Sequence, residues 1–403
     1  MSEPEVSDAL RLLCGCAAWA WAQGRPAELR EHAGRIRDWG SFVKFAMRHR
    51  LQCFADEALE AAGIALPPRA RQALKQAARD VAGANLLAIR ESKTLLAAFG
   101  EAGIAVLDMK GLPLAMLAYG ECTRRHGKDI DLFVQRSDFP AAGALMEKLG
   151  YVRTHPRQDV SGAVLALWMR RRKDFAYSKG DQQVELHWQA VNNPLLFEMP
   201  WRPQSWQTID IGHGLTVETA ASEDLFAYLC VHGAIGGWFR LKWVCDIAGL
   251  LARQPPERIL ELYTHTEHLG IERASGQVLL LCADLFGTPL PPALSRRLRS
   301  DAIVRFLERV ALGRLASAEI AGPVALPFAT LWSSTARLLL RKGLRYKFAE
   351  IATSLADPAE LPDLPFAERL IFLYPVLRPF VWLGAQWRKR GRLKRRTERT
   401  DLG

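Results

Sequence analysis

Two carboxylates separated by one apolar residue stand out in the segment Arg125-His126-Gly127-Lys128-Asp129-Ile130-Asp131-Leu132-Phe133-Val134. Ile130, Leu132 and Val134 give this run the pattern of a buried strand. Strand side chains alternate with period two, so Asp129 and Asp131 point the same way. Neighbouring carboxylates in an apolar strand repel each other and resist desolvation. A divalent cation would settle them, and so would water on the solvated face of an edge strand. Glu185 supplies a third carboxylate, in Gln183-Val184-Glu185-Leu186-His187-Trp188. Glu185 and His187 share one face of that strand; Val184, Leu186 and Trp188 share the other.

Three carboxylates on neighbouring strands are what a two-metal phosphoryl-transfer site needs. Two ions, Mg²⁺ or Mn²⁺, can hold a triphosphate and lower the pKa of an attacking hydroxyl. The third carboxylate can bridge an ion or act as base. Lys110-Gly111 lies between an apolar run, Ile104–Leu107, and a helical one, Leu112–Tyr119. Glycine allows close backbone approach, a helix N-terminus offers free N–H groups to phosphate, and Lys110 adds charge. Arg125 and Lys128 could neutralise phosphate, or form a surface ion pair and a solvated side chain, respectively. His187 either lines the site beside Glu185 or is structural. His49 and His232 read as packing or capping histidines and Trp243 as core. Asp246 can pair with Lys242 four residues earlier on one helix face.

These residues need elements to position them. Residues 6–98 read as helical, with an early stripe of Leu10, Leu12, Leu13, Ala17 and Trp21, a second segment at about 40–62 and a long helix at about 69–99. Strands and helices alternate over roughly 100–215, including a helix at Asp138–Leu149 and strand-like runs at about 164–169 and 174–178. That alternation predicts a small unit with a mixed sheet. Ser222-Glu223-Asp224 reads as an N-cap and acidic first turn. Helices follow at 225–234, 238–251, 257–268, 271–286, 292–312 and 328–355. The expected fold is therefore α+β: a mixed-sheet core at 100–215, a helical region at 1–99, a second at 216–365 and an amphipathic, basic tail at 366–403.

The 403-residue chain is 49% hydrophobic and 24% charged, enough apolar material for a buried core. Its net charge of +11 suggests an anionic partner, and part of the excess sits in residues 388–399, with eight basic residues and one acid. Seven scattered cysteines without CxxC spacing favour reduced thiols and a cytoplasmic chain. The acidic start MSEPEVSDAL has no signal-peptide pattern. The most apolar run, Leu370–Trp387, is interrupted by Pro375, Arg378 and Pro379 and makes a poor spanning helix. The tail suits peripheral contact with an anionic membrane at its inner face, attachment to nucleic acid, or a last packed helix with a disordered end. No RNA-binding motif supports nucleic acid.

The order Lys-Gly turn, Asp-x-Asp strand and distant strand carboxylate resembles the nucleotidyltransferase superfamily, with its DNA polymerase β-like palm. The longer pattern is similar to the bacterial uncharacterised nucleotidyltransferase family: LDMKGLPLAMLAYG, RHGKDIDLFV, VELHW and HGAIGGWFRLKWVCDIAGLL, preceded by FVKFAMRHRLQCFADEAL. It runs from about residue 40 to 255. The resemblance implies Asp129, Asp131 and Glu185 as catalytic metal ligands, and Lys110 and Gly111 at the phosphate-binding turn. It implies transfer of a nucleoside monophosphate from an NTP, such as ATP, to a small-molecule, peptide or protein acceptor. Leu112 stands where the superfamily has Ser, the gap from Gly111 to Asp129 is longer than in the minimal motif, and Ile235-Gly236 replace a Lys-His pair. These departures motivate the competing reading: a non-catalytic nucleotide-binding or scaffold protein on the same fold.

Overall fold

The mixed sheet of the middle region is framed by helices from both ends of the chain. The computed structural model describes residues 7–21, 25–127, 129–317, 334–363, 373–374 and 376–378, with backbone only at 360, 362 and 363. Lys128, the start of the helix expected at 328–355, and the basic cluster at 388–399 lie outside the described residues.

Four helices come first: α1 (Asp8–Ala18), α2 (Pro26–Gly34), α3 (Trp39–His49) and α4 (Gln52–Ala61). The single segment expected at 40–62 is broken after His49, because Arg50 takes a left-handed conformation, φ 60°. Helix α5 (Pro68–Glu101) buries Leu74, Ala77, Val81, Asn85, Ile89, Ser92, Leu95 and Phe99, a stripe at helical spacing. Asn85 and Ser92 are the polar members of that stripe.

The sheet has strand order β1 (Val106–Asp108), β2 (Ile130–Val134), β5 (Gln182–His187), β4 (Asp174–Lys179), β3 (Val152–His155). Only β2 and β5 pair in parallel. Helix α6 (Gly111–Tyr119) follows β1, and α7 (Phe139–Lys148) follows β2. The segment expected as a strand at 164–169 lies instead in α8 (Gly162–Arg171), which buries Val164, Leu167 and Trp168. Their spacing by three and one suits a helix face as well as a short apolar run suits a strand, and packing decided for the helix. Strand β3 was not expected. A hairpin, β6 (Gln207–Gly212) and β7 (Leu215–Thr219), leads to the C-terminal helices.

These are α9 (Ser222–Ile235), α10 (Leu241–Leu251), α11 (Pro256–His268), α12 (Glu272–Phe286), α13 (Pro292–Ser300), α14 (Ala302–Ala316) and α15 (Leu344–Leu355). Ala221, not Ser222, is the N-cap of α9. The helix expected at 292–312 divides at Asp301, whose carboxylate caps α14 by accepting the N–H groups of Ile303 and Val304 at 2.8 and 3.1 Å. One face of the sheet packs Ile130, Leu132, Val184 and Leu186 with Leu95 and Phe99 of α5. On the other side, Leu107 and Phe133 join a continuous core that includes Leu12, Phe54, Tyr228, Val244 and Val278, so the N- and C-terminal helices share one interior. No described helix is long and apolar enough to cross a membrane. All seven cysteines are free thiols.

His49, as its sequence context suggests, is a capping residue. It is fully buried, stacks edge-on against Phe45, and its Nδ1 accepts the Leu241 N–H at 3.0 Å at the start of α10. Burial, helped by Arg48, lowers its pKa to about 3. A depressed folded-state value means that this stability is present above the unfolded pKa near 6.5 and is lost as pH falls toward 3. Unfolding free energy should therefore decrease by up to about 1.4 kcal/mol per pH unit from this group between pH 6 and 4. His49→Asn, which keeps an acceptor but cannot titrate, should flatten that slope in urea titrations at each pH.

Candidate active site

The β2–β5 pairing assembles the site. Asp131 lies opposite Glu185, and Phe133 opposite His187, so all four share one sheet face. Strand β4 adds Asp174 opposite His187. Lys110, the N-cap of α6, reaches in from the end of β1, and its Nζ lies 2.8 Å from Asp131 Oδ1. His187 is fully buried and stacked flat on Phe133, with ring centroids 4.4 Å apart. Its Nε2 meets Asp131 Oδ1 at 3.1 Å, and Glu185 Oε2 is 3.4 Å away. On the other side of the ring, Nδ1 faces Lys173 Nζ at 3.3 Å and Asp174 Oδ2 at 3.6 Å. An ammonium can only donate, so in this arrangement Nδ1 accepts from Lys173 and Nε2–H donates to Asp131. With the opposite tautomer, Nδ1–H would face Asp174 and Nε2 would be available as a ligand, the orientation a neighbouring carboxylate gives to metal-bound histidine.

The electrostatics match this crowding. Burial alone would raise the Asp131 pKa, but Lys110 and the His187 hydrogen bond hold it well below the usual carboxylate range. Burial alone would lower Lys110, but Asp131, Tyr228 and Glu185 carry it well above the ordinary lysine value. Asp129 is raised by burial and then by Asp131 and Glu185. Asp108 is raised well above its ordinary value, again by burial first and Asp131 second. Carboxylates outnumber the cations that face them, which favours an added cation.

Among the described residues, Asp131, Glu185 and His187 each offer a ligand atom within 4.8 Å of the others. Two carboxylates and an imidazole suit a divalent cation. Asp129, expected as a ligand with Asp131, falls outside that group of three but borders it electrostatically, since both Asp131 and Glu185 act on it. Strand β2 begins at Ile130, so Asp129 belongs to the incoming loop. Gly111 sits at φ 58°, and a Cβ there would come within 3.7 Å of Asp108 Oδ1. A cavity of about 470 Å³ opens on the α5 side, lined by Ser92, Asp108, Gly111, Arg125, Asp129 and Asp181, a volume that suits a nucleoside-sized ligand.

Arg125, expected at phosphate, lines this cavity and is also ion-paired. It is 5% exposed, and its Nε and Nη2 donate to the two oxygens of Asp246 at 2.8 and 2.9 Å. Tyr119 Oη donates to Asp246 Oδ1 at 2.9 Å. Lys242, expected to pair with Asp246, instead donates to the His126 carbonyl at 2.9 Å. Asn85 fixes the loop from α5, its Nδ2 lying 2.9, 3.0 and 2.9 Å from the carbonyls of Cys122, Thr123 and Arg125. His232 lies between Tyr228 and Trp243, and burial drives its pKa well below the ordinary value. The half-buried Trp243 packs against Gly236, where a Cβ would approach within 2.7 Å.

Asp108, Lys173, Asp174 and Tyr228 are site residues that the motifs missed. Asp174 carried a signal. A tight turn at Gly180-Asp181 pairs Lys179 with Gln182, and counting back along that hairpin brings Asp174 opposite His187.

A family model described as uncharacterised nucleotidyltransferase matches residues 36–287. That span holds α3 to α12, the whole sheet and every site residue named above. No curated protein and no solved structure matches the chain.

Breaking the buried pair from one side leaves the other charge uncompensated. Arg125→Ala or Asp246→Ala should each cost about 3–5 kcal/mol in chemical unfolding. Arg25→Ala, which breaks the exposed Arg25–Glu28 pair, should cost within about 1 kcal/mol.

Proposed function

Because the chain belongs to the uncharacterised nucleotidyltransferase family, and is on that ground a transferase, we propose that it moves a nucleoside monophosphate from an NTP, such as ATP, to an acceptor hydroxyl. The acceptor hydroxyl gives its proton to a site carboxylate or to water, its oxygen bonds to the α-phosphorus, the bond from that phosphorus to the bridging oxygen breaks, and pyrophosphate leaves. The observation that carries this reading is the in-register pairing of Asp131 with Glu185, with His187 beside them. Asp131, Glu185 and His187, bordered by Asp129, would hold divalent cations, Mg²⁺ or Mn²⁺. Bound there, a cation supplies charge neutralisation on the triphosphate and a lower pKa for the attacking hydroxyl.

The chain's own groups do the positioning. Phe133 and the Lys173–Asp174 pair, 2.5 Å apart, hold the His187 ring. Lys110 keeps Asp131 ionised and places a positive charge at the mouth of α6, whose first N–H groups suit phosphate oxygens. Gly111 permits that turn. Arg125 acts through Asp246, holding the loop that carries Asp129.

The second reading, a nucleotide-binding scaffold without turnover, draws on Leu112 in place of Ser and on the commitment of Arg125 to Asp246. The two readings separate experimentally. With Mg²⁺ or Mn²⁺ and each labelled NTP, Asp131→Asn and Glu185→Gln should lower transfer by at least about 100-fold. The Asp129→Ala/Asp131→Ala double variant should lose metal-dependent NTP binding, and binding equal to wild type would sink the assignment. Nucleotide binding without turnover across a broad acceptor screen would favour the scaffold.

The eight basic residues within 388–399 support peripheral attachment to an anionic membrane. Tyr374 Oη donates to the Asp357 carbonyl at 2.8 Å, so a truncation should spare that anchor. Removing residues 388–403 should reduce sedimentation with phosphatidylserine vesicles, and equal pelleting would end the idea.

A further inference from the structure

We infer that Arg50, Arg240 and Lys242 form the binding site for the polyphosphate tail of the nucleotide, next to the loop that carries Asp129. The inference takes its ligand class from the nucleotidyltransferase reading; the site itself stands on separate geometry.

Three contacts bring these cations together from elements far apart in sequence. The Leu241 N–H donates to His49 Nδ1 at 3.0 Å. That bond sets Arg50, next to His49, beside Arg240 and Lys242, which flank Leu241. Arg240 Nη1 donates to the Arg48 carbonyl at 2.6 Å, drawing α10 further onto the end of α3. Lys242 Nζ donates to the His126 carbonyl at 2.9 Å, and Gln52 Nε2 lies 2.9 Å from His126 Nδ1. The loop that delivers Asp129 is therefore tied to the same cluster. The left-handed backbone of Arg50 ends α3 at this junction.

Among the described residues, the cluster has nearby carboxylates but no direct ion pair: no carboxylate forms one within 4.0 Å of Arg50, Arg240 or Lys242, whereas the adjacent Arg125 is neutralised by Asp246. Lys242 is 5% exposed, and Arg50 and Arg240 are half-buried. Burying like charges without partners is unfavourable unless an anion joins them. The titration behaviour agrees. Burial and then Arg50 and Arg48 bring Arg240 down to about 10, and burial followed by Arg125 drives Lys242 well below its ordinary value. Burial also lowers Arg50, opposed by Asp129. Asp129 links an acidic half to a basic half: it is two residues from Asp131 and three from His126, whose carbonyl accepts from Lys242. A divalent cation bound on the acidic half would draw on Asp129 and leave the basic half in need of an anion. A metal-bound triphosphate supplies both charges, its reacting phosphorus near the carboxylates and its terminal phosphates among Arg50, Arg240 and Lys242.

The test uses the full chain, inorganic tripolyphosphate in metal-free buffer, and calorimetric titration. Wild type should bind. Arg50→Gln, Arg240→Gln and Lys242→Met should each weaken binding about tenfold or more, while Arg90→Gln, on the exposed side of α5, leaves it unchanged. Asp129→Asn should tighten tripolyphosphate binding, because it removes a carboxylate that acts on both Arg50 and Lys242. Tripolyphosphate should compete with ATP and leave AMP binding intact. The inference is overturned if Arg50→Gln and Arg240→Gln, with wild-type circular dichroism and melting temperature, bind like wild type, or if Arg90→Gln weakens binding equally. It is also overturned if a single-stranded oligonucleotide binds more tightly than tripolyphosphate and loses affinity in the same variants. Tripolyphosphate binding that follows this pattern without any nucleotide transfer would support the phosphate site and count against the transfer reading alone.

Discussion

The bidentate ion pair between Arg125 and Asp246 is the constraint on which the site depends. Taking both charges out of water is costly, and the cost is offset only when nearly every donor and acceptor is used. Here Asp246 accepts two guanidinium N–H groups and the Tyr119 hydroxyl. The pair joins the loop before β2 to α10, and Tyr119 brings in the end of α6. Three elements that carry Asp129, Lys242 and the Lys110-Gly111 turn are thereby held at one point. The same bond commits Nε and Nη2 of Arg125 to Asp246, while Nη1 faces the Gly111 carbonyl at 3.4 Å.

Around that point the charges separate into two halves. Asp108, Asp129, Asp131, Asp174 and Glu185 crowd against Lys110 and Lys173, while Arg50, Arg240 and Lys242 gather next to the loop that carries Asp129. Each half is unfavourable without ligands, and several members are held in place: Arg240 and Lys242 by backbone carbonyls, Asp131 by Lys110 and His187. Groups fixed in this way before a ligand arrives need little reorganisation when charge develops on it. The stacked pair of Phe133 and His187 does the same for the imidazole.

The helices do more than surround the sheet. Helix α5 places Asn85 against three carbonyls of the loop backbone and lines the 470 Å³ cavity with Ser92. Helix α3 ends at His49, which caps α10. Because the N- and C-terminal helices share a single core, the distance between Arg50 and Arg240 is set by that packing as much as by any local bond.

Much of this was legible in the chain. The mixed sheet, the long helix at about 69–99 and the shared face of Glu185 and His187 follow from local spacing, because strand and helix periods dictate which side chains point together; the family was legible as a resemblance in the quoted motifs. The apolar run at 164–169 misled, since a short run fits both periods and only its packing makes it α8. Asp129 and Asp131 could be read as a pair, but their separate placement depends on where β2 begins. The sequence by itself placed Asp131 and Glu185 on strands and indicated what chemistry they suit. Only the tertiary structure decided the partners: Arg125 with Asp246, Lys110 with Asp131, His49 with Leu241, and Arg50 beside Arg240 and Lys242. Those contacts join residues up to 192 positions apart, and no local period carries information over such a distance; burial and charge balance in the folded core select them.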